Sequence, residues 1–317
     1  MNIRKEYVVI AVLVVALSLY LLLREGDRTQ YELPEVAEVE KEAIDRLVVD
    51  RPGGEMTLEM RNGVWRVVPE GWPADETKVD AMREAFAGLE IGTLVSESKN
   101  YTLYELDDES RIRVEAFGGE ASLGAFDIGK TAPTYRHTYV RLPGDERVYQ
   151  AAGNLRRTFD LDADRVRDRD VLDAERSSVT GLTVAGTEGR VSLARIQKPA
   201  EPPAEGEPAP PAVTAWITPD STEADGKVVD GILKQVTSLD ADGFPPPGTE
   251  PGGHEYLVAL EGTGDTLYIH DHLEDEKKYL ATSSQYDFPF LLSEWKVKQI
   301  RKTPAELMGK EDEEESD

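Results

Sequence analysis

Two stretches of the chain, residues 74–90 and 224–240, place apolar residues at the spacing of an amphipathic helix. The two stretches share an Ala-Asp start, and their apolar positions differ by the same number of residues (229 − 79 = 150). These positions are Val79, Met82, Phe86 and Leu89 in the first stretch and Val229, Ile232, Val236 and Leu239 in the second. The pattern predicts two matching helices, each with one buried face.

Alternating apolar and polar residues predict strands on both sides of the first helix. Before it, two strand-like stretches are IDRLVVD and EMTLEMRNGVWRVV, and the second contains Asn62-Gly63, a strong signal for a tight hairpin. After it come RIRVEAF, ASLGAFDIG, HTYVRL and RVYQA, followed by a short helical stretch near residues 154–159. Asp75 is placed to cap the first helix.

The second helix has the same neighbours in the same order. VTGLTVAG matches IDRLVVDR with Leu182 at the place of Leu47, and TAWIT puts Trp216 at the place of Trp65. EYLVALEG, DTLYIHDH and KYLATSS follow the helix. We therefore predict an α+β fold made of two similar repeats of mostly antiparallel sheet, each covered by a helix. The predicted repeats are residues 44–175 and 176–308, with a Pro-rich loop at 198–213 and an acidic disordered tail at 309–317.

The N-terminal region has a different pattern. Residues 7–23, YVVIAVLVVALSLYLLL, carry no charge, and as a helix they are long enough to span most of a bilayer. We predict a membrane anchor at residues 1–29 and a polar tether at 30–43. Arg4 and Lys5 before the apolar run favour a cytoplasmic N-terminus, so the prediction is a single-pass inner-membrane protein with most of the chain periplasmic or extracytoplasmic. A cleaved signal peptide is the alternative.

Composition limits the classes of partner and chemistry. The 317 residues carry a formal net charge of −26, which disfavours a nucleic-acid partner because phosphate binding needs a basic face. Cysteine is absent, so disulfides, thiolate metal sites and a cysteine nucleophile are excluded. We expect no cofactor, and the lipid bilayer is the one partner that the residues themselves indicate.

GAFDIGKT at residues 124–131 fits the nucleotide-binding pattern G-x-x-x-x-G-K-[ST] letter for letter. A phosphate-binding loop must lead into a helix whose N-terminus faces the phosphates. Here Phe126 and Ile128 alternate with Ala125 and Asp127 as they would in a strand, and Pro133 follows soon after. We interpret the stretch as a strand.

YIHDHLEDE places His270 and His272 two residues apart, so a strand would present both on one face. This spacing is compatible with zinc or nickel, and His254 or nearby carboxylates would complete such a site. The same residues also suit a solvent-facing strand end. The two histidines are therefore the metal-ligand candidates, with no metal site assigned.

Two further stretches are candidates for partner binding. TYRHTYVR would place Tyr135, His137, Tyr139 and Arg141 along one face of a strand, although tyrosines in strands more often cover a neighbouring element. DADRVRDRDVLDAE, which contains Asp168 and Arg169, alternates in charge and is also typical of a salt-bridged surface turn.

Residues 44–307 combine the Trp65 strand, the Ala74-Asp75 helix start, Ile128-Gly129, Tyr139-Val140-Arg141 and Asp168-Arg169-Asp170. In this combination the chain resembles a bacterial family called domain of unknown function 4340. NYTLYELDDESRI departs from the family's usual aromatic-Gly-Leu-Asp stretch. The resemblance implies one N-terminal membrane helix and a genetic link to a gliding-motility-type ABC transporter system, and it assigns no activity.

These observations favour a non-catalytic, membrane-anchored extracytoplasmic accessory or scaffold protein. The resemblance points to an ABC transporter permease, or its extracytoplasmic subunit, as the partner. The alternative is an exported metal-dependent enzyme, or a ligand-binding module, that uses His270 and His272.

Overall fold

The computed structural model describes residues 14–16, 18, 33–198 and 213–309. Strands dominate the described residues. They are β1 (Arg46–Arg51), β2 (Gly54–Arg61), β3 (Val64–Val68), β4 (Trp72–Pro73), β5 (Ile91–Ser96), β6 (Ile112–Gly118), β7 (Ala121–Thr131), β8 (His137–Arg141), β9 (Val148–Ala152), β10 (Asp170–Asp173), β11 (Gly181–Gly186), β12 (Gly189–Lys198), β13 (Val213–Ile217), β14 (Ser238–Asp240), β15 (Tyr256–Glu261), β16 (Thr266–Leu273), β17 (Lys278–Ser283) and β18 (Phe290–Ser293).

Within residues 33–198 and 213–309 the α-helices are fewer, and two of them exceed ten residues. They are α1 (Glu76–Ala87), α2 (Leu155–Phe159), α3 (Ala163–Val166), α4 (Gly226–Val236), α5 (Glu294–Ile300) and α6 (Pro304–Leu307). The fold is therefore a sheet-rich α+β fold with antiparallel strand pairs.

Contacts divide the chain into two compact units. The first takes its described residues from Met1–Glu55 and Met82–Asp160. Its strands follow the order β1-β6-β7-β8-β9-β5. Phe126 of β7 lies at the centre of its core, with its ring centroid 5.3 Å from Phe86 of α1 and 6.2 Å from Phe159 of α2.

The second unit takes its described residues from Met56–Ala81 and Leu161–Asp317. It contains the antiparallel meander β2-β3-β4, the pair β10-β14 and a seven-stranded sheet of order β13-β12-β11-β15-β16-β17-β18. One face of α4 is buried in its core through Val229, Ile232, Leu233 and Val236. The core continues through α5 and α6, where Val297, Ile300 and Leu307 are buried.

The same succession of strand pairs occurs twice along the chain. The pairs β2-β3, β1-β6, β6-β7, β7-β8 and β8-β9 correspond in order to β12-β13, β11-β15, β15-β16, β16-β17 and β17-β18. Leu47 and Leu182 are each the second residue of their strand and are fully buried. Trp65 and Trp216 are both buried, at 3% and 4% exposure.

Local predictions from the sequence are confirmed at three places. Asn62 and Gly63 have φ angles of 53° and 81°, the left-handed conformations that a two-residue hairpin turn between β2 and β3 requires. The Asp75 side chain accepts a hydrogen bond from the Lys78 amide at 3.2 Å and so caps α1. The short helix near residue 154 is α2, capped by Asn154.

Several predictions fall on residues outside the described part. They are most of the anchor at residues 7–23, the Pro-rich loop apart from Lys198 and Val213, and the acidic tail beyond residue 309. Within the described residues, no helix combines the length and apolar character needed to cross a bilayer. The tether is described from residue 33, and it leads into a 3-10 turn at Lys41–Ala43. The boundary between the predicted repeats stays a prediction.

Candidate functional site

A cavity of about 330 Å³ in the second unit has a buried arginine in its lining. Trp72, Arg167 and Phe288 line it together with Glu70, Pro289 and the segment 245–250. That segment, PPPGTE, begins with three consecutive prolines, which restrict the backbone to an extended conformation. Gly248 then takes a φ of 79°, which allows the chain to turn. The segment 245–250 forms one wall of the cavity, and its prolines and Gly248 therefore restrict the conformation of that wall.

Backbone hydrogen bonds fix the position of Arg167. Its amide donates to the carbonyl oxygen of Ala163, the first residue of α3, and the chain beside it pairs with the segment that enters α1. The Asp75 amide donates to Val166 O at 2.8 Å, and the Asp168 amide donates to Pro73 O at 2.9 Å. This pairing brings Arg167 alongside Trp72, since Ala74 and Arg167 form an antiparallel bridge.

Two aromatic rings lie against the guanidinium of Arg167. Its Cζ is 4.1 Å from the ring centroid of Trp72 and 3.4 Å from that of Phe244. Phe244 in turn stacks on Tyr286 with centroids 6.3 Å apart. A cation over an aromatic face is attracted by the ring quadrupole, by about 2 kcal/mol where water is excluded. Because the rings occupy the flat faces of the guanidinium, its N–H edge is left for polar partners.

The polar partners of Arg167 do not fully compensate its charge. The residue is 1% exposed, and its Nε has no hydrogen-bond partner in the described part of the chain. Its ion pair with Asp164 spans 3.8 Å, and that carboxylate is 63% exposed. Burial lowers the pKa of Arg167, and the neighbouring Tyr286 hydroxyl partly opposes this shift. An arginine remains protonated at neutral pH, so the cavity holds a fixed positive charge.

The arrangement is suited to recognition. A guanidinium held at its faces presents parallel N–H donors in a fixed plane, a geometry that matches a carboxylate or phosphate. Most of the remaining lining is aromatic or proline, as in sites that bury a small ligand. Glu70 and Glu250 place two carboxylates in the same lining.

The nucleotide-binding pattern at residues 124–131 lies within β7, so its interpretation as a strand is confirmed. Gly129 is needed there for packing, because a Cβ at this position would lie 2.2 Å from Tyr104 O. After β7 the chain turns directly into β8 instead of entering a helix. The structure thus explains the glycine of the motif without a phosphate.

His270 and His272 both lie on β16, but they have different surroundings. His270 is buried, with Nδ1 3.0 Å from Gly252 O and Nε2 2.9 Å from Thr282 Oγ1. His272 is half-buried, and its Nε2 lies 2.8 Å from Glu294 Oε1. A register shift between Ile269 and His272 interrupts the pairing with β17. Among the described residues, no group of three or more histidines or carboxylates has the geometry to hold a metal ion.

Tyr135, Tyr139 and Arg141 are distributed over a turn and a strand. Tyr135 precedes β8, has a φ of 58° and is 80% exposed. Tyr139 packs against Tyr104 with ring centroids 4.9 Å apart. Arg141 donates to Asp127 Oδ2 at 2.6 Å and lies 4.4 Å from the Tyr101 ring centroid. Burial alone would lower the pKa of Arg141, but the hydrogen bonds to Asp127 and Tyr101 outweigh it and raise the pKa.

Asp168 and Arg169 directly follow the buried arginine. Asp168 accepts a hydrogen bond from Tyr286 through its backbone carbonyl, at 3.3 Å. Arg169 is exposed and reaches Ala241 O at 3.5 Å. The sequence pointed to this segment but not to Arg167, because its aromatic neighbours Trp72 and Phe244 are far away in the chain.

The fold and the cavity define a sheet-rich α+β protein in which a buried arginine lines a cavity. A family model described as "Domain of unknown function (DUF4340)" matches residues 65–257, which is more than half of the chain, and the protein belongs to this family. The matched range contains Trp72, Arg167 and Phe244. No curated protein and no solved structure gives a significant match.

Proposed function

We propose that the protein is a non-catalytic, membrane-anchored extracytoplasmic accessory that works by binding and is associated with a gliding-motility-type ABC transporter system. The observation that supports binding most strongly is the cavity around Arg167, in which rings and prolines surround a fixed, incompletely paired cation. A rigid lining of this kind lowers the ordering cost of association.

The proposed location follows from residues 7–23, whose uncharged apolar sequence suits a single membrane helix. The N-terminus would be cytoplasmic and the rest of the chain periplasmic or extracytoplasmic. A tether to the membrane keeps a binding protein close to membrane partners and raises its effective concentration there. A transporter permease, or its extracytoplasmic subunit, is the partner that the family resemblance suggests.

The repeated succession of strand pairs supports a duplication, with two similar α+β repeats at residues 44–175 and 176–308. The two repeats contribute different residues to the Arg167 cavity. The Arg167 cavity takes Phe288 and the segment 245–250 from the second repeat, and Trp72 and Arg167 from the first. A single binding site for the duplicated chain is therefore our proposal.

Purification of the full-length protein from its native membranes tests this function. We expect the transporter permease or its extracytoplasmic subunit to co-purify, and we expect no stoichiometric metal. The matched control is the double variant His270→Ala/His272→Ala, which should retain the same partners.

A different result would support the alternative. Stoichiometric zinc that disappears in the double variant, without transporter subunits, would favour a metal-dependent enzyme and contradict the accessory role. Absence of both metal and transporter subunits would contradict the transporter association.

A further inference from the structure

We propose that the Arg167 cavity binds a peptide through a carboxylate group, with the guanidinium edge as the anchor. This inference rests on the proposed binding function and adds the chemistry of the ligand. It starts from Arg167, which is 1% exposed and lines the cavity while its Nε lacks a hydrogen-bond partner among the described residues.

The shape of the cation favours a planar anion. Trp72 and Phe244 lie 4.1 and 3.4 Å from Cζ and cover the flat faces, so a ligand reaches the guanidinium through its N–H edge. Two parallel N–H groups match the two oxygens of a carboxylate. The ion pair with Asp164, at 3.8 Å, is too long to be a hydrogen bond and leaves donor capacity for the ligand.

The charges around the cavity argue against a doubly charged ligand. Glu70 and Glu250 both line it, so one guanidinium faces two carboxylates. A phosphate dianion would be attracted about twice as strongly by the guanidinium and repelled about twice as strongly by the glutamates, but its desolvation would cost about four times as much as that of a carboxylate, because this cost rises with the square of the charge. A singly charged carboxylate is the anion that this balance accommodates.

The remaining lining indicates what carries the carboxylate. A volume of about 330 Å³ lies at the lower end of small-ligand sites, which span roughly 300–1,000 Å³. Phe288, Trp72 and the prolines offer apolar contact to one or two residues beside the carboxylate. A terminal or acidic residue of a peptide, next to an apolar residue, fits this combination.

Isothermal titration of the full-length protein in detergent tests the proposal with three N-acetylated dipeptides. The first is N-acetyl-Ala-Phe with a free C-terminus, the second is its C-terminal amide, and the third is N-acetyl-Glu-Phe-amide, which carries a side-chain carboxylate. We expect the uncharged amide to bind at least tenfold more weakly than whichever acid binds best, since a charge-assisted hydrogen bond is lost. The two acids distinguish a C-terminal from a side-chain carboxylate.

Variants of the positively charged arginine and of the two negatively charged glutamates in the lining provide the controls. Arg167→Lys keeps the charge but loses the planar fork, and we expect at least a tenfold loss of affinity for the acid. Glu70→Gln and Glu250→Gln change exposed residues, so they should fold normally, and each should tighten acid binding about twofold to fivefold.

Three results would overturn the inference. These are equal binding of acid and amide, weaker acid binding in both glutamate variants, and displacement of the acid by an equal concentration of inorganic phosphate. The inference would also be refuted if none of the three dipeptides bound. None of these results bears on co-purification with the transporter, so the proposed function fails or stands separately.

Discussion

Arg167 carries a charge into surroundings that are largely aromatic. A buried charge without close opposite charge destabilises a fold unless other interactions compensate. Here Trp72, Phe244 and the Tyr286 hydroxyl supply part of that compensation. A residue kept in this state is a candidate for function, since a simpler apolar side chain would pack in the same space with a lower desolvation cost.

Asp145, in contrast, carries a charge that is stabilised by several hydrogen bonds. Its carboxylate accepts hydrogen bonds from Arg147 Nε at 3.0 Å and Nη2 at 2.8 Å, and from the Tyr149 hydroxyl at 2.7 Å. The hydrogen bond from Arg147 holds the pKa of Asp145 well below its ordinary value of 3.8. Burial raises the pKa of Tyr149 to about 12, so its hydroxyl remains a donor at neutral pH.

This pKa difference predicts a pH-dependent stability. Because the folded-state pKa is lowered, the stabilisation by Asp145 is complete above the unfolded pKa and is lost as the pH falls towards the folded pKa. We expect Asp145→Asn to lower the melting temperature by a few degrees at pH 7, with the deficit shrinking between about pH 5 and pH 3. Thermal unfolding across this range measures the effect.

Asp108→Asn is the matched control, because its carboxylate is 90% exposed and it also pairs with an arginine. Its effect on melting should be close to zero at every pH. A deficit for Asp145→Asn that stays constant from pH 7 to pH 3 would contradict the assigned role of the carboxylate.

At the scale of elements, the long helices α1 and α4 hold the two cores. Phe86 of α1 packs on Phe126, and Val236 of α4 is fully buried. We expect Phe86→Asp and Val236→Asp each to reduce the free energy of unfolding by about 3 kcal/mol or more, because each buries an unpaired charge. Thermal or denaturant unfolding measures this loss.

Exposed positions on the same helices serve as controls. Ala81→Asp on α1 and Gly231→Asp on α4 add the same charge at exposed positions, and a Cβ at residue 231 would meet nothing within 4 Å. We expect changes within about 0.5 kcal/mol for these variants. Unchanged melting of the two core variants would refute the assignment of the buried faces.

The hairpin turn, the helix cap and the helix α1 were predictable because each depends on local chemistry, whereas β5, β10, β14 and β18 were not predicted. Asn62-Gly63, the Asp75 cap and the helical spacing of Val79, Met82 and Phe86 act within a few residues of the chain. The site was not predictable in the same way. Arg167, Trp72 and Phe244 are joined by tertiary packing, and no sequence spacing relates them.

The histidine pair shows a second limit of sequence reasoning. Alternation predicts one shared face for His270 and His272, but the register shift in β16 gives them separate partners. Irregularities of this kind depend on the neighbouring strand. A two-residue spacing therefore could not establish a common site.

Two features of the full sequence, its surplus of acidic residues and its apolar N-terminal run, are both compatible with the proposed membrane-anchored protein. A net charge of −26 favours a protein that stays dispersed in water, and the proposed anchor at residues 7–23 would attach that protein to a membrane. Family membership sets no activity for this protein. Its place in the cell is consequently the claim on which the proposed accessory role depends most.

A C-terminal alkaline phosphatase fusion, read together with the mass of the mature protein, tests that claim most directly. We predict an active fusion in the membrane fraction, a mature N-terminus at or near Met1, and an inactive fusion when residues 1–29 are deleted. An inactive full-length fusion, or a mature N-terminus beyond Leu23, would contradict the anchored extracytoplasmic protein.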